Sequence, residues 1–330
     1  MTSKKHKILV IGVIVTILSC MTLWSGKAVG QERKYPNKPI ELVVPFPAGG
    51  PVDIGTRILV NELPKELGVP ISVQYKPGAG GMVGASYVST SKPDGYTLLS
   101  HTYSSLISAP FLEKDPLYNP LKDFTPIVAY GVSPNILANH SSANLTSLDA
   151  VIKFAKEKPG ELNCTSPGMG TTAHFILEVF KMYGVNITHV PAKGGGPAAT
   201  TLLGKHVDLG VMLYPAAIPH IKSGAFRLLA TTDKIVREVP TFTEKGFPEG
   251  GSLGSWLSFL GPPDLPRPIQ DQIASSTRKV MQMPSVIKAL ENAGYTVEYK
   301  GPDELNKIFL EDYKMIEKIV KAAGLGKYAK

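Results

Sequence analysis

Residues 40–67 read IELVVPFPAGGPVDIGTRILVNELPKEL. The run Ile40 to Pro45 is short, apolar and rich in β-branched residues, as a buried strand requires. Pro47 to Pro51 is a glycine-rich turn. From Val52 to Leu67, Ile54, Ile58, Leu59 and Leu63 fall on one face of a helix. Strand, glycine turn and helix form the repeating unit of a parallel sheet. The unit recurs along the chain. Strand Pro70 to Tyr75 leads to Pro77–Gly81 and a helix near Ala85 to Thr90. Strand Leu162 to Thr165 leads to Ser166–Gly170 and a helix from Thr171 to Tyr183. Strand Ile187 to Val190 leads to Lys193–Pro197 and a further helix. The fold class read from this rhythm is α/β, with a parallel, doubly wound sheet.

The remaining segments suggest two lobes. Pro126 to Tyr130, Asn135 to Asn139, Asp208 to Leu213 and Leu228 to Thr232 read as strands. Leu145 to Lys158 reads as a helix capped by Thr146 or Ser147. After a strand at Trp256 to Leu260 come amphipathic helices at Pro268–Gln282, Ser285–Ala293 and Asp303–Ala323, with a strand at Tyr295–Tyr299. If these helices return to the first unit, residues 31–124 plus 233–330 form one discontinuous lobe and 125–232 the other. The two crossings between them would leave a hinged cleft.

The chain has 330 residues and a formal charge of +8. Residues 1–30 hold Lys4, Lys5, Lys7 and Lys27 and no acid, leaving 31 Lys+Arg against 27 Asp+Glu, or +4, in the rest. No basic stripe survives that subtraction, so a nucleic-acid partner is not expected. Lys4 to Lys7, the apolar run from Ile8, and Ala28-Val29-Gly30 before Gln31 make a signal-peptide pattern. Cleavage after Gly30 would give an exported, periplasmic protein. Ile17-Leu18-Ser19-Cys20 also loosely resembles a lipobox, so Cys20 is a candidate lipid anchor. Cys164 would then be the one remaining cysteine, in a strand-like context that favours a structural role.

Each glycine turn lets a ligand approach the backbone, and each following helix offers free N–H groups and partial positive charge. Such turns bind anions, and in parallel sheets they gather at the carboxyl ends of the strands. No Walker A motif occurs. Gly78-Ala79-Gly80-Gly81-Met82-Val83 fails the dinucleotide fingerprint because Val83 stands where its last glycine belongs. No cofactor and no metal site are expected, since the seven histidines are scattered. Gly250-Gly251-Ser252-Leu253-Gly254 matches G-x-S-x-G, which makes a serine hydrolase using Ser252 the rival reading. A strand follows it, however, where a nucleophile elbow needs a helix.

The motifs Val43-Val44-Pro45-Phe46-Pro47-x-Gly49-Gly50-x-x-Asp53, Pro77-Gly78-Ala79-Gly80-Gly81, Pro93-Asp94-Gly95-Tyr96, Ser166-Pro167-Gly168-x-Gly170, His189-Val190-Pro191 and Val207-Asp208-Leu209 resemble the TctC/Bug family. These are extracytoplasmic solute-binding receptors of tripartite tricarboxylate transporters. The resemblance implies a type II periplasmic-binding-protein fold, two αβ lobes closing on a small carboxylate, and a function in transport rather than catalysis. It implies membrane permease subunits as partners and a monomeric receptor; a membrane kinase is the alternative partner. Carried onto this sequence, the binding residues would be Phe46, Ala48, Gly49, Gly50 and Asp53, with Gly78, Ala79, Gly80 and Gly81 opposite and Thr102 beside them. The second lobe would supply Ser166, Gly168, Gly170, Thr171, Thr172 and His174, with Lys193, Gly195 and Asp208. Asp53 is expected to orient its loop, since a carboxylate repels an anion. A bulky residue at Gly49 is expected to abolish binding.

Overall fold

The computed structural model describes residues 35–234 and 239–328. The leader at 1–30, its cleavage point and Cys20 lie outside the described residues. Among the described residues, ten strands form two five-stranded sheets. The first holds β1 (Ile40–Val44), β2 (Ile71–Tyr75), β3 (Thr97–Thr102), β4 (Thr125–Ser133) and β10 (Ser255–Gly261), in the order β2-β1-β3-β10-β4. The second holds β5 (Asn135–His140), β6 (Asn163–Ser166), β7 (Thr188–Pro191), β8 (Leu209–Leu213) and β9 (Phe226–Thr231), in the order β7-β6-β8-β5-β9. The helices are α1 (Pro51–Val60), α2 (Leu63–Leu67), α3 (Met82–Ser89), α4 (Tyr103–Ser108), α5 (Leu148–Glu157), α6 (Thr172–Met182), α7 (Gly195–Leu203), α8 (Tyr214–Lys222), α9 (Pro248–Gly251), α10 (Arg267–Met281), α11 (Pro284–Asn292) and α12 (Pro302–Ala323).

The sheets are mixed, which corrects the expectation of a purely parallel one. β1, β2 and β3 run parallel, as do β6, β7 and β8, but β10 is antiparallel to β3 and β4, and β5 to β8 and β9. The reason is the crossings. The chain leaves β4 at Ser133, turns at Pro134 and enters the second sheet at Asn135, opposite Leu213 at the far end of β8. It returns at Ser255, opposite Ser133 at the end of β4. A strand that enters its sheet where its neighbours finish must run against them. β4 also moves the expected boundary: it pairs with β10 in the first sheet, so the change of sheet falls at Pro134 and not at residue 125.

Burial follows the pattern of doubly covered strands. Leu42, Val43 and Val44 are buried in β1, and all of Leu209–Leu213 in β8. Between α1 and the strands β3 and β4, the hydroxyls of Thr56, Ser100 and Tyr130 bond one another, with Thr56 and Ser100 2.7 Å apart. The helix expected over 52–67 is broken after Val60, because Pro64 lacks the N–H that a continuous helix would use and its ring would crowd the carbonyl four residues back. The strand expected at 295–299 is reduced to two bridges, Val132 with Thr296 and Ala129 with Lys300. Ser147 caps α5, its Oγ accepting the Ala150 N–H at 3.2 Å. Helix α12 packs on β4 and α4 and also reaches α6 of the second sheet. Cys164 is buried, and burial pushes its thiol well above the ordinary range, so it is unreactive packing. No helix among the described residues is long and apolar enough to cross a membrane.

Candidate functional site

The carboxyl ends of β1, β3, β6 and β8 and the starts of β5 and β10 border one cleft, with about 520 Å³ between its atoms, mouth included. Phe46, Pro47, Ala48, Gly50, Pro51 and Val52 form one wall; Pro167, Thr171, Thr172, Ala173, Gly195, Gly196 and Pro197 form the other. Thr102, Ser105, Asn135, Leu213 and Ser255 close the floor. Three helices of nine residues or more begin on it: α1 at Pro51, α6 at Thr172 and α7 at Gly195. Their first turns present N–H groups without helical partners and the positive ends of three dipoles. No ionisable side chain is among the lining residues. An anion here would be held by backbone dipoles and hydroxyls.

The structure divides the sequence-expected residues into four groups. Phe46, Ala48, Gly50, Thr102, Thr171, Thr172 and Gly195 line the cleft. Gly78, Ala79, Gly80, Gly81, Gly168 and Lys193 line an adjoining groove that shares Phe46, Pro47 and Pro167 with the cleft, among the loops that follow β1, β2, β6 and β7. A third group braces the loops. Asp53, 3% exposed, accepts the Gly49 N–H at 2.7 Å and the Tyr75 hydroxyl at 2.7 Å, and meets Arg57 Nε at 2.9 Å. It therefore fixes the first glycine turn instead of touching the cleft. Ser166 Oγ accepts the Gly168 N–H at 3.2 Å and lies 2.7 Å from His189 Nε2. His174 Nδ1 accepts the Gly170 N–H at 3.4 Å, its Nε2 lies 3.4 Å from Glu178, and its ring stacks on His189. Asp208 forms the last group: it is exposed at the start of β8, at the other end of the strand, where it accepts the Asn163 N–H.

Several glycines turn out to be points of contact between the two halves. A Cβ at Gly80 would stand 2.4 Å from the Met169 carbonyl oxygen, at Gly170 2.7 Å from Ala109 Cα, at Gly194 3.0 Å from Pro47 Cδ and at Gly195 2.9 Å from Pro51 Cδ. Gly49 is different. Its φ of +76° strains any other residue, while a Cβ there meets nothing within 4 Å, so a substitution at 49 acts on the backbone of the turn, and the clash across the cleft belongs to Gly195.

The sequence reading missed Ser105, Asn135 and Ser255. Ser255 directly follows the G-x-S-x-G match. Ser252 itself ends the four-residue helix α9 ahead of β10, in a separate groove with Asp233, Glu298 and Asp312 and no histidine on its wall. That placement gives the hydrolase reading no support.

His101 sits behind Phe46, ring edge to face at 5.3 Å, with Nδ1 2.6 Å from the Thr102 carbonyl. Burial pulls its imidazole down to about 4, and burial followed by the neighbouring His174 does the same for His189. An unfolded histidine takes its proton near ~6.5. Stability from these two is therefore complete above ~6.5 and is lost as pH falls from there towards 4. For His101 the loss is on the order of 3 kcal/mol. Urea midpoints measured from pH 7 to 4.5 should fall, and less steeply in His101→Gln; equal slopes would contradict the assignment.

Residues 56–325 match the family model described as the tripartite tricarboxylate transporter family receptor. The chain belongs to that family. Among relatives of this receptor, Protein BugT of Bordetella pertussis is 32% identical over 296 residues, covering 88% of this chain and 90% of that protein. The solved structure of R. palustris Rpa4515 with adipate superposes with TM-score 0.82 at 29% identity, covering 88% of this chain and 99% of that one. MatC from Rhodopseudomonas palustris with bound malate gives TM-score 0.80 at 28% identity, covering 87% and 100%. The receptor thus has the two-lobed α/β fold of periplasmic binding proteins, and its family is one of solute-binding receptors.

Proposed function

We propose that this receptor captures a small organic carboxylate between its lobes and delivers it to the membrane subunits of a tripartite tricarboxylate-type transporter. The carrying observation is the convergence of three helix N-termini on a cleft without any acidic side chain. Such a cleft stabilises negative charge without the geometry of an arginine clamp. Relatives that hold adipate and malate support the ligand class. The sites proposed for contact are the wall residues Phe46, Ala48, Gly50, Thr171, Thr172 and Gly195 with Thr102 on the floor. Export by cleavage after Gly30, and action as a monomer, complete the reading.

A panel of mono-, di- and tricarboxylates tests it by thermal shift. At a hundredfold excess over Kd, binding should stabilise the protein by about 2.7 kcal/mol. Silence across the panel, with hits among sugars or cations, would overturn it.

A further inference from the structure

Asn135 opens β5 directly after the crossing at Pro134 and lines the cleft. The residue is fully buried. Both protons of its amide are committed: Nδ2 donates to Thr172 Oγ1 at 2.8 Å and to the Leu253 carbonyl at 2.7 Å. A carbonyl can only accept, so the amide cannot be turned over. Its backbone is committed too, with the N–H donating to Thr232 Oγ1 at 3.1 Å and the carbonyl accepting the Thr232 N–H at 2.9 Å. Oδ1 is left buried, with no partner among the described residues. An acceptor in that condition destabilises the site until a donor reaches it.

We infer that Asn135 Oδ1 reads a hydroxyl on the ligand, so that the receptor prefers hydroxylated carboxylates over their unsubstituted and amino-substituted counterparts. The chemistry of the neighbours selects among donors. A carboxylate oxygen brought to Oδ1 would set acceptor against acceptor. An ammonium would donate, but no Asp or Glu lines the cleft to balance its charge, and a buried unpaired cation is strongly disfavoured. A hydroxyl is a neutral donor and fits. The adjoining Thr172 and Ser255 hydroxyls, 3.1 Å apart, give its oxygen a polar surround. Asn135 would therefore set specificity, while the helix ends hold the carboxylates.

The inference rests on the carboxylate reading, and matched ligands separate the two. Calorimetric titration would compare L-malate with succinate and L-aspartate, 2-hydroxyglutarate with glutarate and L-glutamate, and 2-hydroxyadipate with adipate. The hydroxylated member of the best-fitting length should bind about tenfold tighter or more than its partners. Failure of every compound would remove the carboxylate reading. Binding of hydroxylated and unsubstituted members within threefold would leave that reading standing and overturn this one, as it would if a bridging water served Oδ1. Asn135→Leu should erase the hydroxyl preference. Asn135→Asp should shift the preference towards the amino member, because it supplies the missing negative charge. A purely structural role for Asn135 would weaken all ligands alike and leave the ratios unchanged. Should Asn135→Leu fail to fold, the wild-type ratios and Asn135→Asp still decide.

Discussion

Replacing Gly195 by valine should lower ligand affinity about a hundredfold while leaving the unfolding midpoint nearly unchanged. Gly195 is the first residue of α7 and carries no positive φ, so a side chain strains nothing in its own backbone. The tight contacts of a Cβ lie across the cleft, Pro51 Cδ at 2.9 Å and Cγ at 3.3 Å on the first residue of α1, while Ala216 Cβ in α8 stands at an ordinary 3.4 Å. A proline ring has nowhere to rotate. The two helix ends must separate, and the dipoles that should converge on one anion then act at longer range. Overpacking costs of about 1–3 kcal/mol correspond to factors of up to a hundred or so in binding. Because the clash is relieved by opening, the secondary structure has no reason to melt. Calorimetric titration beside a thermal melt would check it; wild-type affinity in the valine variant would show that the halves do not meet there when ligand is bound.

Asp53→Ala should cost about 2–4 kcal/mol of stability and also weaken binding. The carboxylate is buried and serves three donors from three segments: the Gly49 N–H in the turn, Arg57 one helical turn on, and the Tyr75 hydroxyl at the end of β2. Arg57 and Tyr75 are themselves hydrogen-bonded, so the loss spreads. Asp53 also lies in the first turn of α1, where negative charge is favoured. Without it the turn carrying Phe46 to Gly50 loses its anchor, and those residues form one wall of the cleft. Asp53→Asn, which keeps one acceptor oxygen, should lose roughly half as much. Urea unfolding at neutral pH measures the order wild type, Asn, Ala; an alanine variant as stable as the asparagine one would contradict the bracing role.

The strands and glycine turns of the first unit are legible in sequence because burial writes itself into continuous apolar runs, and glycine before a helix has few other uses. Strand direction is not legible. β5 and β10 carry compositions like those of their neighbours, and only the path of the chain makes them antiparallel. Glycine is ambiguous in a second way. Gly50 belongs to the cleft, Gly80 and Gly170 allow the two halves to touch, and Gly195 does both, so different needs select the same residue. Asn135, Ser105 and Ser255 left no signal, since a single polar residue at a strand or helix end belongs to no motif. Asp208 and His174, which the family resemblance implies as binding residues, instead sit at the start of β8 and against the Gly170 N–H of the loop after β6.

The position of the polar floor has a kinetic consequence. Asn135 and Ser255 stand at the two points where the chain passes between sheets, and Thr172 bridges them. In a rotation about those passages, displacement grows with distance from the axis, so the floor moves least and the walls carrying Pro51 and Gly195 move more. Contacts at the floor would then change little as the lobes move, and the departure rate would be governed by the contacts furthest from the pivot. Changes at the floor should alter which molecules are admitted; changes at Gly195 or Pro51 should alter how long any of them stays.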